Sequence, residues 1–109
     1  MEEKVFNKLV RDRIPEIIEG NGEIAVTRIL DEAEYKLELE KKLLEECNEV
    51  LSAVRHDERI EELADVLEVL GAIGALEGAD LEKIISVMNS KREKRGGFSQ
   101  KIFLEKTMK

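Results

Sequence analysis

The sequence predicts a mainly α protein: an antiparallel bundle of about three long helices, with a short helix before them and a small β-ribbon beside them. Three observations carry this. Hydrophobic residues make up 42% of the 109 positions and charged residues 39%, the balance of amphipathic helices whose outer faces are crowded with Lys and Glu. Apolar residues recur at helical spacing through three long segments. Gly, Asp and the single Pro stand where helices start and stop.

The opening KVFNKLVRDRIPEIIEG offers Asp12 as a cap, Pro15 in a first turn and Gly20 as a stop, predicting a short helix from about Arg13 to Glu19. Asn21-Gly22 reads as a turn. The following EIAVTRIL has the β-branched content of a strand, and only QKIFLEK, after Gly96-Gly97, resembles it. The segments near 24–30 and 100–105 are therefore the expected ribbon. Asp31 caps a long helix to about Arg55, carrying Leu37, Leu44 and Leu51 one heptad apart beside Leu43, Val50 and Val54. His56-Asp57 should break it. A second helix from about Glu58 to Leu76 bears Ile60, Leu63, Val66, Leu67, Leu70 and Ile73, and Gly78 ends it. Asp80 caps a third, through Leu81, Ile84, Ile85 and Met88 to about Arg95, where Gly96-Gly97 stop it.

A chain of this length makes one domain, residues 1–109, with one core. Aromatics are only 4%, so that core is aliphatic. Short chains bury a smaller fraction of their surface, which predicts a homo-oligomer. The formal net charge of −7 argues against nucleic acid as partner, since that role needs a basic face. Cys47 is the only cysteine and no basic, apolar leader follows Met1. The expectation is a cytoplasmic protein without disulfides or membrane association.

Two acidic runs carry the candidate chemistry. LLEECNEV holds Glu45, Glu46 and Glu49, and EELADVLEVL holds Glu62 and Asp65. Carboxylates three residues apart share a helix face, so two packed helices could aim four of them at one point. On a wheel of about 100° per residue, Glu62 falls between Val69 and Ile73, inside the apolar arc. Asp65 lies at the edge of that arc. Glu46 borders the arc of Leu43 and Val50, with Glu49 one step further round and Glu45 beyond it. An ionised carboxylate facing a core is costly unless a cation or strong donors compensate it. An oxygen-only set suits Mg²⁺, or Mn²⁺, over Zn²⁺. Glu61 and Glu68 fall on the polar side as ordinary surface charge.

At the end of the third helix, Lys91 and Arg95 stand four apart and could reach one anion together, with Asn89 as a neutral donor. Cations also favour helix C-termini for the dipole alone. Lys8, Arg11 and Arg13 form a basic N-terminal arm that is solvated, used in packing, or in contact with phosphate. Cys47, Met88 and Phe98 read as packing residues, and His56 as a cap or loop residue.

These elements together resemble the all-α nucleoside triphosphate pyrophosphohydrolase superfamily, which includes MazG, the dimeric dUTPases and phosphoribosyl-ATP pyrophosphohydrolase. Its Glu-Glu-x-x-Glu is matched by Glu45, Glu46 and Glu49, its Glu-x-x-Asp by Glu62 and Asp65, and the Asn-x-Lys-x-x-x-Arg of the MazG-like branch by Asn89, Lys91 and Arg95. NKLVRDRIPEII and RGGFSQKIFLEK resemble a short single-domain subgroup. The resemblance implies Glu46, Glu49, Glu62 and Asp65 as metal ligands and Glu45 as a residue orienting a water or ligand. Asn89, Lys91 and Arg95 would hold phosphate oxygens. It further implies Mg²⁺-dependent hydrolysis of a nucleoside triphosphate to monophosphate and pyrophosphate, of the kind that clears non-standard nucleotides, with Glu49 or Glu45 accepting the proton. A homodimer or homotetramer is implied as well. Phosphoribosyl-ATP is an alternative substrate, and a non-catalytic helical oligomerisation or regulatory module is the alternative of a different class. A di-iron bundle would need Glu-x-x-His pairs, and the single His is in none.

Overall fold

The computed structural model describes residues 2–109 and is mainly helical, with four helices and no strand among those residues. They are α1 (Ile14–Gly20), α2 (Glu32–Ser52), α3 (His56–Leu76) and α4 (Leu81–Arg95). Asp31 and Asp80 cap α2 and α4 as the sequence predicts, their carboxylates accepting from the backbone N–H of Glu34 at 2.8 Å and of Lys83 at 2.9 Å. The cap of α1 differs. Arg13 takes the capping position without a side-chain bond, and Pro15 in the first turn fixes the start instead.

The break between the two longest helices falls earlier than His56-Asp57. α2 ends at Ser52, and Ala53–Arg55 run extended before the chain turns helical again at His56. The Arg59 guanidinium donates to the Ala53 carbonyl at 2.9 Å, meeting a backbone group that the helix end leaves open. With so short a connection, α2 and α3 pack side by side as an antiparallel pair. Leu39 on α2, Val69 on α3 and Ala53 at the turn between them are its buried hydrophobic side chains among the described residues.

α3 ends on a Schellman turn around Gly78, which sits at φ +75°. The N–H of Ala79 bonds the Gly74 carbonyl at 2.8 Å and that of Gly78 bonds the Ala75 carbonyl at 3.1 Å. α4 starts from this joint and packs on α3 but not on α2. The three long helices are thus two successive pairs rather than a closed three-helix bundle. No helix is long and apolar enough to cross a membrane among the described residues.

Several sequence expectations need correction. The β-ribbon is not formed: residues 24–30 and 101–105 run without helical or strand bonding, and Val26 and Phe103 are 94% and 85% exposed. Two lone strands are marginal in water, and no third is present to complete a sheet. Leu37, Leu44 and Leu51 are exposed, not core; α2 carries two apolar stripes, and only the one through Leu39 faces α3. Cys47 is exposed on the side of the second stripe. Met88 and Phe98 are exposed as well.

The α3–α4 joint makes a contrast testable. A Cβ on Gly74 would stand 2.6 Å from both the Ala79 carbonyl oxygen and Ile84 Cδ1, whereas one on Gly71 would meet Leu81 at an ordinary 3.9 Å. Gly74→Ala is expected to cost about 1–3 kcal/mol through overpacking. Gly71→Ala should be neutral or stabilising by up to about 1 kcal/mol, because Ala suits a helix better than Gly. Urea unfolding of both variants measures the difference.

Candidate functional site: a carboxylate cluster between α2 and α3

The antiparallel pairing of α2 and α3 brings the two acidic runs into one register. Glu46, Glu62 and Asp65 each offer an oxygen within 4.8 Å of the other two, and all three are half-buried. The spacing of three puts Glu62 and Asp65 on neighbouring turns of one face, and Glu46 meets them from across the seam. Glu62 keeps the place on the apolar side that the wheel predicts, one helical repeat from buried Val69.

Burial raises the Glu62 carboxyl above the ordinary carboxylate range, and the charges of Asp65, Glu49, Glu46 and Glu58 push it further in the same direction. Glu62 is therefore the member with the least compensation. Its neighbours have cations. Lys42 stands 3.6 Å from both Glu45 and Glu46. Arg11 reaches back from the segment before α1 to place a guanidinium nitrogen 2.7 Å from Asp65, with a second at 3.7 Å from Glu68.

Of the residues singled out in the sequence, Glu46, Glu62 and Asp65 converge. Glu49 lies outside that triad but close enough for its charge to act on Glu62. Glu45 is exposed and paired with Lys42. Lys91 and Arg95 are elsewhere, lining an open concavity of about 720 Å³ at the end of α4 with Arg92, Gly96, Gly97, Phe98 and the apolar Ile84, Val87 and Met88. No ion pair joins either to the carboxylates among the described residues, and Asn89 does not line the concavity. Within the basic arm, Arg13 pairs locally with Glu16 at 3.4 Å, and Arg11 alone reaches the cluster. Sequence spacing gives no signal for that reach, because 54 residues separate Arg11 from Asp65.

Three oxygen donors at this separation, with a fourth carboxylate close by, could hold a hard divalent cation, which takes oxygen ligands and tolerates water in its remaining positions.

No family model and no solved structure matches the chain. A protein of Mycolicibacterium smegmatis described as uncharacterized is 44% identical over 54 residues. That stretch is 50% of this chain and 55% of the relative, so the chain spans about half the length of the curated relative it matches.

The raised Glu62 carboxyl sets the direction of a pH effect. Its proton is held more tightly in the folded state than in the unfolded chain, so this group favours folding at low pH. That contribution fades as pH rises from the ordinary carboxylate range through the raised value. Without divalent cations, Glu62→Gln should melt at a higher temperature than wild type at about pH 7, and the gap should narrow as pH falls below the ordinary glutamate value of about 4.3, where Glu62 becomes protonated in the unfolded chain as well. Thermal melts across this pH range, in chelator, test the assignment.

Proposed function

We propose that the protein is a cytoplasmic, Mg²⁺-dependent pyrophosphohydrolase that cleaves nucleoside triphosphates to monophosphate and pyrophosphate. The observation that carries this reading is the convergence of Glu46, Glu62 and Asp65, with Glu62 on an apolar face where a bare negative charge is disfavoured. Glu46, Glu62 and Asp65, with Glu49 beside them, hold the cation; Mn²⁺ fits the same donors. When bound, the cation supplies charge neutralisation for the triphosphate and acidifies a coordinated water. Glu45 or Glu49 takes up the proton of the attacking water. Asn89, Lys91 and Arg95 are assigned to phosphate oxygens, and Arg11 is a further candidate because it already stands beside Asp65. The resemblance in three ordered motifs supports the same assignment, with phosphoribosyl-ATP as the alternative substrate. A homodimer or homotetramer belongs to this reading.

A specific observation also favours a second reading, a helical oligomerisation module: the long helices leave large apolar side chains exposed along their outer faces. Metal dependence separates the two. Pyrophosphate and orthophosphate release from a panel of ribo- and deoxyribonucleoside triphosphates and from phosphoribosyl-ATP, with Mg²⁺ and with chelator, is the direct test. Pyrophosphate release with Mg²⁺ alone is expected, falling at least about 100-fold in Glu62→Gln, since even partners that only support a metal ligand are worth about 10–100-fold. No release from any substrate by folded protein would leave the module reading.

Arg11 and a divalent cation compete for Asp65 in this scheme. Arg11→Gln is therefore expected to bind Mn²⁺ several-fold more tightly than wild type, as followed by Mn²⁺ electron paramagnetic resonance, while its KM for a triphosphate rises. Equal Mn²⁺ affinity in the two proteins would remove Arg11 from the site.

A further inference from the structure

One face of α4 changes character along its length. At about 100° per residue, Ile84, Val87, Met88, Lys91, Arg92 and Arg95 fall within an arc of about 140°. The first three are apolar and the last three cationic. All six line the open concavity of about 720 Å³, a size within the roughly 300–1,000 Å³ of small-molecule sites. Gly96, at φ +81°, then turns the chain. Phe98 joins the same lining with its ring almost wholly free, the residue being 98% exposed.

Packing within the chain accounts for neither half of this face. Lys91, Arg92 and Arg95 have no ion-pair partner among the described residues, in a chain whose net charge is −7. The helix dipole favours cations in a last turn. It does not explain why they share a face with Val87 and Met88, or why an unpacked aromatic ring ends that face. A ligand with an anionic part and a flat apolar part is complementary to both halves. We propose that the concavity seats the base of a nucleotide on the Phe98 ring, beside Met88 and Val87, with Arg92 joining Lys91 and Arg95 on the phosphates. The proposal deepens the triphosphate reading and rests on it for the choice of a nucleotide as ligand. It adds a base platform and one phosphate contact, which the spacing of Lys91 and Arg95 does not supply.

The chemistry of the lining also sets what the site can tell apart. Lys and Arg side chains donate hydrogen bonds and cannot accept them, and here the phosphates occupy them. The remaining side chains are hydrocarbon, a thioether and a phenyl ring. None of them pairs with the polar edge of a particular base. Recognition therefore falls to the π-face, which every base has, and a pocket without polar partners for its ligand discriminates weakly. The site takes purines and pyrimidines alike. Since no carboxylate lines the concavity, this binding needs no divalent cation.

Calorimetric titration in chelator, with ATP, GTP, CTP and UTP and with inorganic tripolyphosphate as the ligand without a base, tests this. Wild type should bind each nucleotide more tightly than tripolyphosphate, and the four within about 100-fold of one another. Phe98→Ala should weaken the nucleotides by roughly 5–100-fold, the range of one base–aromatic stack, and leave tripolyphosphate unchanged. Phe98→Tyr, which keeps the ring, should retain the nucleotide affinity, and Arg92→Gln should weaken all five ligands. Phe98 and Arg92 are exposed, so these changes remove nothing from the core. Nucleotides bound no more tightly than tripolyphosphate would overturn the proposal. So would a wider preference for one base, or a nucleotide affinity that Phe98→Ala leaves unchanged. Pyrophosphate release with Mg²⁺ is read separately. The expected binding pattern without release overturns the hydrolase reading alone, whereas release by a protein whose nucleotide affinity ignores Phe98 overturns the base seat alone.

Discussion

The seam between α2 and α3 has to accommodate like charge and apolar side chains in the same few turns, and the rest of the structure follows from how it does so. Among the described residues, Leu39 and Val69 on the two helices and Ala53 at the turn between them are the buried hydrophobic side chains. Glu46, Glu62 and Asp65 sit in the same interface within 4.8 Å of one another. Apolar burial holds the helices together there while carboxylate repulsion opposes it, so the register of the pair and the chemistry of the cluster cannot be separated. Lys42 and Arg11 lower the repulsion from two sides, one from within α2 and one from the segment before α1. Arg11 thereby ties the segment just before α1 to α3 through exposed ion pairs with Asp65 and Glu68.

Much of this was legible in the sequence because it depends on local rules. Asp31 and Asp80 announce their caps, Gly78 and Gly96 take the left-handed backbone that ends a helix, and the i, i+3 spacing of Glu62 and Asp65 fixes their common face. The wheel also located Glu62 correctly beside Val69. What escaped was non-local. Arg11 meets Asp65 across 54 positions, and nothing in the spacing of either points to the other. Leu37, Leu44 and Leu51 form a heptad as good as any core stripe, yet α2 has one packed partner and two apolar stripes, so one stripe stays open. The ribbon failed for a related reason. Strand-like composition near 24–30 and 100–105 describes what a strand needs from its side chains, but a strand also needs a neighbour.

The cations at the end of α4 show the same divide. Lys91 and Arg95 share a helix face as their spacing requires, and both border the concavity that ends at Phe98. None of the carboxylates lines that concavity, a placement set by how α4 leaves α3, which no motif encodes. Spacing alone therefore fixes which side chains share a helix face but not which faces come together.

The attachment of α4 has a mechanical consequence. The helix is held to α3 near its beginning, where Leu81 and Ile84 meet Gly71 and Gly74, while its basic end stands free of α2. It is a cantilever. Fifteen residues make a lever arm of about 22 Å, so a pivot of only about 10° at the Gly78 joint would carry the Arg95 end through roughly 4 Å, more than the length of a hydrogen bond. A pivot caused by altered packing around Gly74 would thus be amplified into a larger displacement of the positive charge that α4 carries.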